Sequence, residues 1–147
     1  MSPDALPRVI GWKEYVAFPD WGLRRVKAKI DTGARTSALG VMGYDLQESP
    51  DGRLVAVLRL AKSRRHPERV AVVRAEVLRM VVVRNSGGIK EHRPLVETRV
   101  KLGPVTKVVR LTITYRSGMI FPMILGRQAL AGEFVVDVSR KYVLRAT

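Results

Sequence analysis

Ile30-Asp31-Thr32-Gly33-Ala34-Arg35-Thr36-Ser37 is the stretch from which the rest of this chain can be laid out. It follows Val26-Lys27-Ala28-Lys29-Ile30, an alternation that puts Val26, Ala28 and Ile30 on one face and the lysines on the other, as in a half-buried strand. A strand therefore delivers Asp31 to a turn. Thr32 adds a small hydroxyl and Gly33 a residue free to take positive φ, so the backbone can fold tightly and aim its amides and a carboxylate at one place. An isolated Asp-Thr-Gly is most often an ordinary Asx turn. Here the apolar neighbours Ile30 and Ala34, and the small residues Thr36, Ser37 and Ala38 that follow, argue for a recessed acid.

The whole chain bounds what that acid can do. At 147 residues with 46% hydrophobic composition it is long enough to bury a real core, and the size predicts a single domain over residues 1–147. Lys and Arg number 27 against 13 Asp and Glu, and the resulting charge of +14 favours acidic partners: nucleic acid, anionic lipid or acidic peptide. The absence of cysteine excludes a disulfide scaffold and a thiolate metal site. Met1 to Pro7 has neither the basic start nor the apolar core of a signal peptide, and no apolar run nears the ~20 residues of a membrane span. The expectation is a soluble, cytoplasmic protein without membrane contact.

Read in order, the chain is strand after strand. Val9 to Phe18 runs to a break at Pro19-Asp20-Trp21-Gly22, and Leu23 to Ile30 answers it as a hairpin. Ala38 to Val41, Tyr44 to Leu46 and Arg53 to Leu60 are short strands, the last two parted by the turn Ser49-Pro50-Asp51-Gly52. A basic loop, Lys62 to Pro67, precedes the long β-branched run Val70 to Val83, whose length predicts a bend or bulge. Asn85-Ser86-Gly87-Gly88 turns the chain into Pro94 to Leu102, with Val96, Thr98, Val100 and Leu102 on one face. Val105 to Arg116 follows, with Val109, Leu111, Ile113 and Tyr115 aligned. Met119 to Leu125 is an apolar strand, Gly126 to Gly132 one or two turns of helix, and Phe134 to Asp137 and Tyr142 to Leu144 closing strands. The class is mainly β, a closed or partly closed barrel with one short helix.

Two segments together resemble a family. Lys29-Ile30-Asp31-Thr32-Gly33-Ala34, with Met123-Ile124-Leu125-Gly126-Arg127 far downstream, is similar to the retropepsin-like aspartic proteases. Ile10-Gly11-Trp12-Lys13-Glu14, the extension to Leu39, Glu91-His92-Arg93-Pro94 and Phe121 to Leu130 sharpen the likeness to a bacterial branch labelled ATP-dependent zinc proteases, over nearly the full chain. Two positions depart from that branch: Gly40 stands where relatives carry a histidine, and Asn85-Ser86-Gly87-Gly88 replaces a Ser-Asn-Gly-like turn.

The resemblance implies a closed retropepsin-like barrel with its helix near the C-terminus, and a pair of carboxylates that share a proton and activate water. One Asp31 cannot supply a pair, and no second Asp-Thr-Gly or Asp-Ser-Gly occurs, so the simplest arrangement is a homodimer joining two Asp31 side chains across a two-fold axis. Thr32 would brace that dyad and Gly33 would let substrate approach. Ala34, Arg35 and Thr36 would line the substrate, Asn85, Ser86, Gly87 and Gly88 would form a flap over it, and Arg93 would add positive charge. Gly126 and Arg127 would support the acid loop. Asp137, the one other acid in a strongly apolar run, reads as a strand-end acid paired with an arginine in preference to an intrachain partner for Asp31.

Neither zinc nor ATP is written in these residues. His66 and His92 are the two histidines, no His-Glu-x-x-His occurs, and no phosphate-cradling Gly-x-x-x-x-Gly-Lys loop is present, so no cofactor is expected. The family's ATP reference points to neighbouring ATP-grasp glutamate ligases of the RimK type, and hence to an acidic, glutamate-rich peptide or tail as substrate. The competing readings are a basic barrel that binds nucleic acid or ribosome, and a catalytically inactive retropepsin-like dimerisation module. Against the first, Trp12, Tyr15, Phe18 and Trp21 bunch near the amino terminus, and no run interleaves aromatics with Lys and Arg as stacking platforms would require.

Overall fold

The structure, a computed structural model, describes residues 6–63, 65, 66, 68–84, 87–115 and 121–144. In chain order the strands are β1 (Arg8–Gly11), β2 (Lys13–Phe18), β3 (Leu23–Ile30), β4 (Ser37–Val41), β5 (Gly43–Glu48), β6 (Leu54–Ala61), β7 (Val70–Arg84), β8 (Lys90–Leu102) and β9 (Val105–Tyr115). Then come β10 (Met123–Leu125), the single-turn helix α1 (Arg127–Leu130) and β11 (Phe134–Asp137). The expected mainly-β architecture is what forms.

β2 and β3 make the hairpin the sequence predicts. Their inward residues Val16, Phe18, Leu23, Ala28 and Ile30 are buried, and a 3-10 turn at Pro19–Trp21 joins them through Gly22, whose φ of 68° is left-handed. Asp20 on that turn accepts from Arg99 on β8 at 3.0 and 2.5 Å, and this hydrogen-bonded guanidinium holds the Asp20 carboxyl below the usual carboxylate range.

Six strands close on themselves in the order β2-β3-β10-β4-β9-β8, with the Ala17–Lys101 pairing of β2 to β8 completing the ring. Closure removes the open edges that a flat sheet would expose. The interior is filled by Phe18, Leu39, Val41, Val96, Val100, Leu102, Leu111, Ile113, Met123 and Leu125, each a side chain whose burial contributes about 1.5–3 kcal/mol. β7 is long because it serves two partners. Val70–Glu76 pairs with β6, Val77–Arg84 pairs with β8, and the expected bulge lies between Val77 and Arg79. Beyond it, β7 and β8 project as a hairpin with Val82 56% and Ile89 67% exposed.

Several boundaries differ from the sequence expectations. The run Val9 to Phe18 is two strands, split at Trp12, because β1 leaves the barrel to pair in parallel with β11. Gly11 permits that departure: a Cβ there would lie 2.7 Å from Lys141 Cα, with the Arg140 carbonyl closer still. Tyr142 to Leu144 is not a strand. Tyr142 takes a φ of 52°, which ends extended pairing, and the segment is held by hydrogen bonds to β2 instead. β8 begins at Lys90, ahead of Pro94. Tyr115, at the end of β9 and paired with Val41 of β4, is 69% exposed although Val109, Leu111 and Ile113 are buried. Arg64, Pro67, Arg116, Met119 and Ile120 lie outside the described residues.

Candidate active site

β3 and β4 are consecutive in the chain yet not neighbours in the sheet. β10 lies between them, parallel to β3 through Leu125–Ile30 and antiparallel to β4 through Ile124–Ala38. Residues 31–36 therefore arch across the end of β10. Asp31 N donates to Leu125 O at 2.9 Å, Ala34 N to Asp31 O at 3.2 Å, and Gly126 N to Ser37 Oγ at 3.1 Å. From α1, Arg127 N donates to Ala34 O at 2.8 Å and Gln128 N to Arg35 O at 3.0 Å, while the Arg127 guanidinium reaches Thr32 O at 2.9 Å. The start of the helix thus holds the arch from below.

Within the arch, Asp31 is half-buried and its Oδ1 accepts Gly33 N at 3.0 Å, so one carboxyl oxygen is fixed by the backbone that follows it. Thr32 and Gly33 are exposed. Gly126 permits the close packing: a Cβ there would lie 2.5 Å from Thr36 O and 2.9 Å from Ala34 O, both backbone atoms. Gly126→Ala must therefore push the arch away from β10. We expect a loss of about 2–4 kcal/mol in stability, read by urea unfolding, because overpacking against backbone has no flexible neighbour to yield.

Strand register shows which side chains share the face of Asp31. Lys13 pairs with Lys29, Lys29 with Ile124, Ile124 with Ala38, and Ala38 with Thr112, so these five form one row across the sheet. Asp31 follows the end of β3, two residues beyond Lys29; its N still donates to Leu125 O of β10, and continued strand alternation sets it on the side of Lys29. Leu95 pairs with Thr112, which places Arg93, two residues earlier on β8, on this face as well. Arg93 is bound to Glu91 at 3.0 and 2.9 Å and lines a cavity of about 50 Å³ with Ala38, Gly40, Thr114, Phe121, Pro122 and Ile124. Ile124 and Ala38 thus form part of the lining of this cavity. Sequence reasoning passed over Lys13, Lys29 and Ile124 as site residues; the two-residue phasing of Lys27, Lys29 and Asp31 was a signal that could have found Lys29.

The remaining sequence-predicted residues are spread out. Ala34 is half-buried with its carbonyl committed to Arg127, and Arg35 and Thr36 are exposed at the top of the arch. Arg35 makes no ion pair among the described residues. Gly87 and Gly88 are exposed at the β7–β8 hairpin, Gly88 with a φ of 80° and its carbonyl accepting Arg84 at 3.3 Å; Asn85 and Ser86 lie outside the described residues. Asp137 is not paired with an arginine as expected. Ser139 caps it through N at 2.9 Å and Oγ at 2.6 Å, and those hydrogen bonds lower its pKa, with the charge of Arg140 a smaller contribution. Among the described residues no three His, Cys, Asp or Glu side chains gather as a metal site, and no helix is long and apolar enough to cross a membrane.

A family model described as RimB-like, retropepsin-like aspartic endopeptidase RimB, matches residues 9–147. The chain belongs to this RimB-like family. Its curated relatives include a Desulfotalea psychrophila protein named probable alpha-L-glutamate ligase, 31% identical over 142 residues that make up 93% of this chain and 29% of that protein. A Parasynechococcus marenigrum protein of the same name is 33% identical over 134 residues, 88% of this chain and 28% of its own length. The chain thus spans under a third of these relatives. Among solved structures, a Legionella pneumophila protein of unknown function shares the fold with a TM-score of 0.75 at 22% identity, over 93% of this chain and 98% of that one.

Proposed function

We propose that this chain is a metal-independent aspartic peptidase that acts as a homodimer on acidic, glutamate-rich peptides or tails. The observation that carries this reading is the arch itself: an acid fixed by Gly33 N and braced by Leu125, Gly126 and Arg127. Two such carboxylates brought together by a two-fold axis hold one proton between them. The ionised oxygen takes a proton from water as that water adds to the scissile carbonyl, and the protonated carboxyl hydrogen-bonds the carbonyl oxygen. Collapse of the tetrahedral adduct then expels the amine, which leaves with a proton from the dyad.

The β7–β8 hairpin with Gly87 and Gly88 would close over bound peptide and exclude water. The preference for acidic chains rests on the charge of +14 and on the match to part of proteins named glutamate ligases, beside which the chain would work in the cytoplasm as the opposing hydrolase. Incubation with a peptide set that includes oligoglutamate, with and without EDTA, tests the reading together with light scattering at micromolar protein. Chelator-insensitive cleavage by a dimer is expected. A monomer that cleaves nothing would overturn it.

A further inference from the structure

Lys13 and Lys29 face each other directly across the β2–β3 pair. Ile30 N donates to Trp12 O at 2.8 Å, so the next pair along is one without ladder hydrogen bonds, where the strands bring Cα atoms to about 4.5 Å and side chains closest. Like charges at such a position destabilise a sheet. Among the described residues neither lysine makes an ion pair, and Glu14, next to Lys13 in the chain, is committed to backbone amides. Nor can Lys13 swing away. Its ammonium sits 4.8 Å from the Trp12 ring centre, 5.3 Å from Tyr142 and 5.9 Å from Phe121, a cage of ring faces that fixes a cation. The fold therefore builds a paired positive site, with one member held, two residues before Asp31 at the end of β3.

We infer that Lys29, with Lys13 fixed beside it, is a specificity-determining anion site that takes the side-chain carboxylate of the substrate residue adjoining the bond placed over Asp31. This rests on the reading of the arch as peptide-hydrolysing. The spacing fits it: side chains on one face of an extended peptide recur about every 6.6–6.8 Å, and Lys29 is one such repeat from Asp31 on a strand of the same period. An incoming carboxylate would offset the like charges that face each other across the strand pair. Nucleic acid would supply anions too, but it gains from bases stacked on free ring faces. Beside Lys13 those faces are taken: Tyr15 stacks on Tyr142 at 4.6 Å and carries Arg25 at 4.5 Å, and Tyr142 also carries Lys13.

The test measures binding apart from turnover. In an Asp31→Asn background, a fluorescent oligoglutamate peptide is titrated by anisotropy, and Lys29→Glu should weaken it about tenfold or more while a neutral peptide is unaffected. Lys29→Gln should fall between, and Arg65→Glu, in the remote basic loop, should stay near the parent. Melting temperature should hold or rise in Lys29→Glu, because the like-charge pair is gone; a merely structural lysine would lower it. Unchanged oligoglutamate affinity in both Lys29 variants would overturn the inference, as would a short single-stranded RNA that binds more tightly than the peptide through Lys29. If the native chain cleaves no peptide yet Lys29-dependent binding persists, the hydrolase reading falls and the anion site stands.

Discussion

Asp31→Asn should lower turnover of an acidic peptide about a thousandfold or more while the melting temperature moves little. Asn keeps the size of the side chain and an oxygen that can accept Gly33 N, so the arch retains its hydrogen bonds to β10 and α1. What is lost is the group that exchanges a proton with water, and removal of a general acid–base group typically costs 10²–10⁴-fold. The dimer makes a sharper demand. If each active dyad draws one Asp31 from each protomer, an equal mixture of native and Asp31→Asn chains, exchanged to equilibrium, should retain about a quarter of the native rate, since only the all-native dimers are intact. Retention of half would mean that each Asp31 acts within its own protomer, and the two-fold dyad would be wrong.

Much of this site could be read from local pattern, and the reason is local too. Alternation in Val26 to Ile30 announced β3, and the acid and glycine after it announced a turn; both depend on neighbours in the chain. The bulge in β7 followed from its length, and the short helix from the Gly126–Gly132 bracket. What could not be read was pairing over distance. Lys29 meets Ile124 because β10 inserts between β3 and β4, and nothing in either segment encodes its partner. The setting of Lys13 could not be read for the same reason. Trp12, Phe121 and Tyr142 come from three separate parts of the chain, so a cage around Lys13 is invisible as a run of sequence even though the rings and cations do alternate in space. Asp137 went to Ser139 rather than an arginine because a hydroxyl two residues away reaches a carboxylate at no cost in chain closure.

Glu14 is the residue whose loss should cost the most stability, and its charge hid it from sequence reasoning. It is fully buried, and its oxygens accept Gly11 N at 2.7 Å, Val143 N at 3.0 Å and Leu144 N at 3.1 Å. These donors belong to the point where β1 leaves β2 and to the C-terminal segment, so one side chain joins three pieces of backbone that no ladder connects. The segment it holds carries Tyr142, which donates to Lys13 O at 2.9 Å and stacks on Tyr15; the neighbouring Trp12 carbonyl accepts Ile30 N, one residue before Asp31. Glu14→Ala leaves those amides without a partner, at roughly 1–3 kcal/mol for each that stays buried, and a total loss of about 3–5 kcal/mol is expected by urea unfolding. Against a typical domain stability of about 5–15 kcal/mol that is a large share. Glu14→Gln separates the cause from simple packing: it preserves volume but turns one acceptor into a donor facing N–H groups, and should cost about 1–3 kcal/mol. A Gln variant as stable as the native chain would show that the cavity, not the hydrogen bonds, governs this junction.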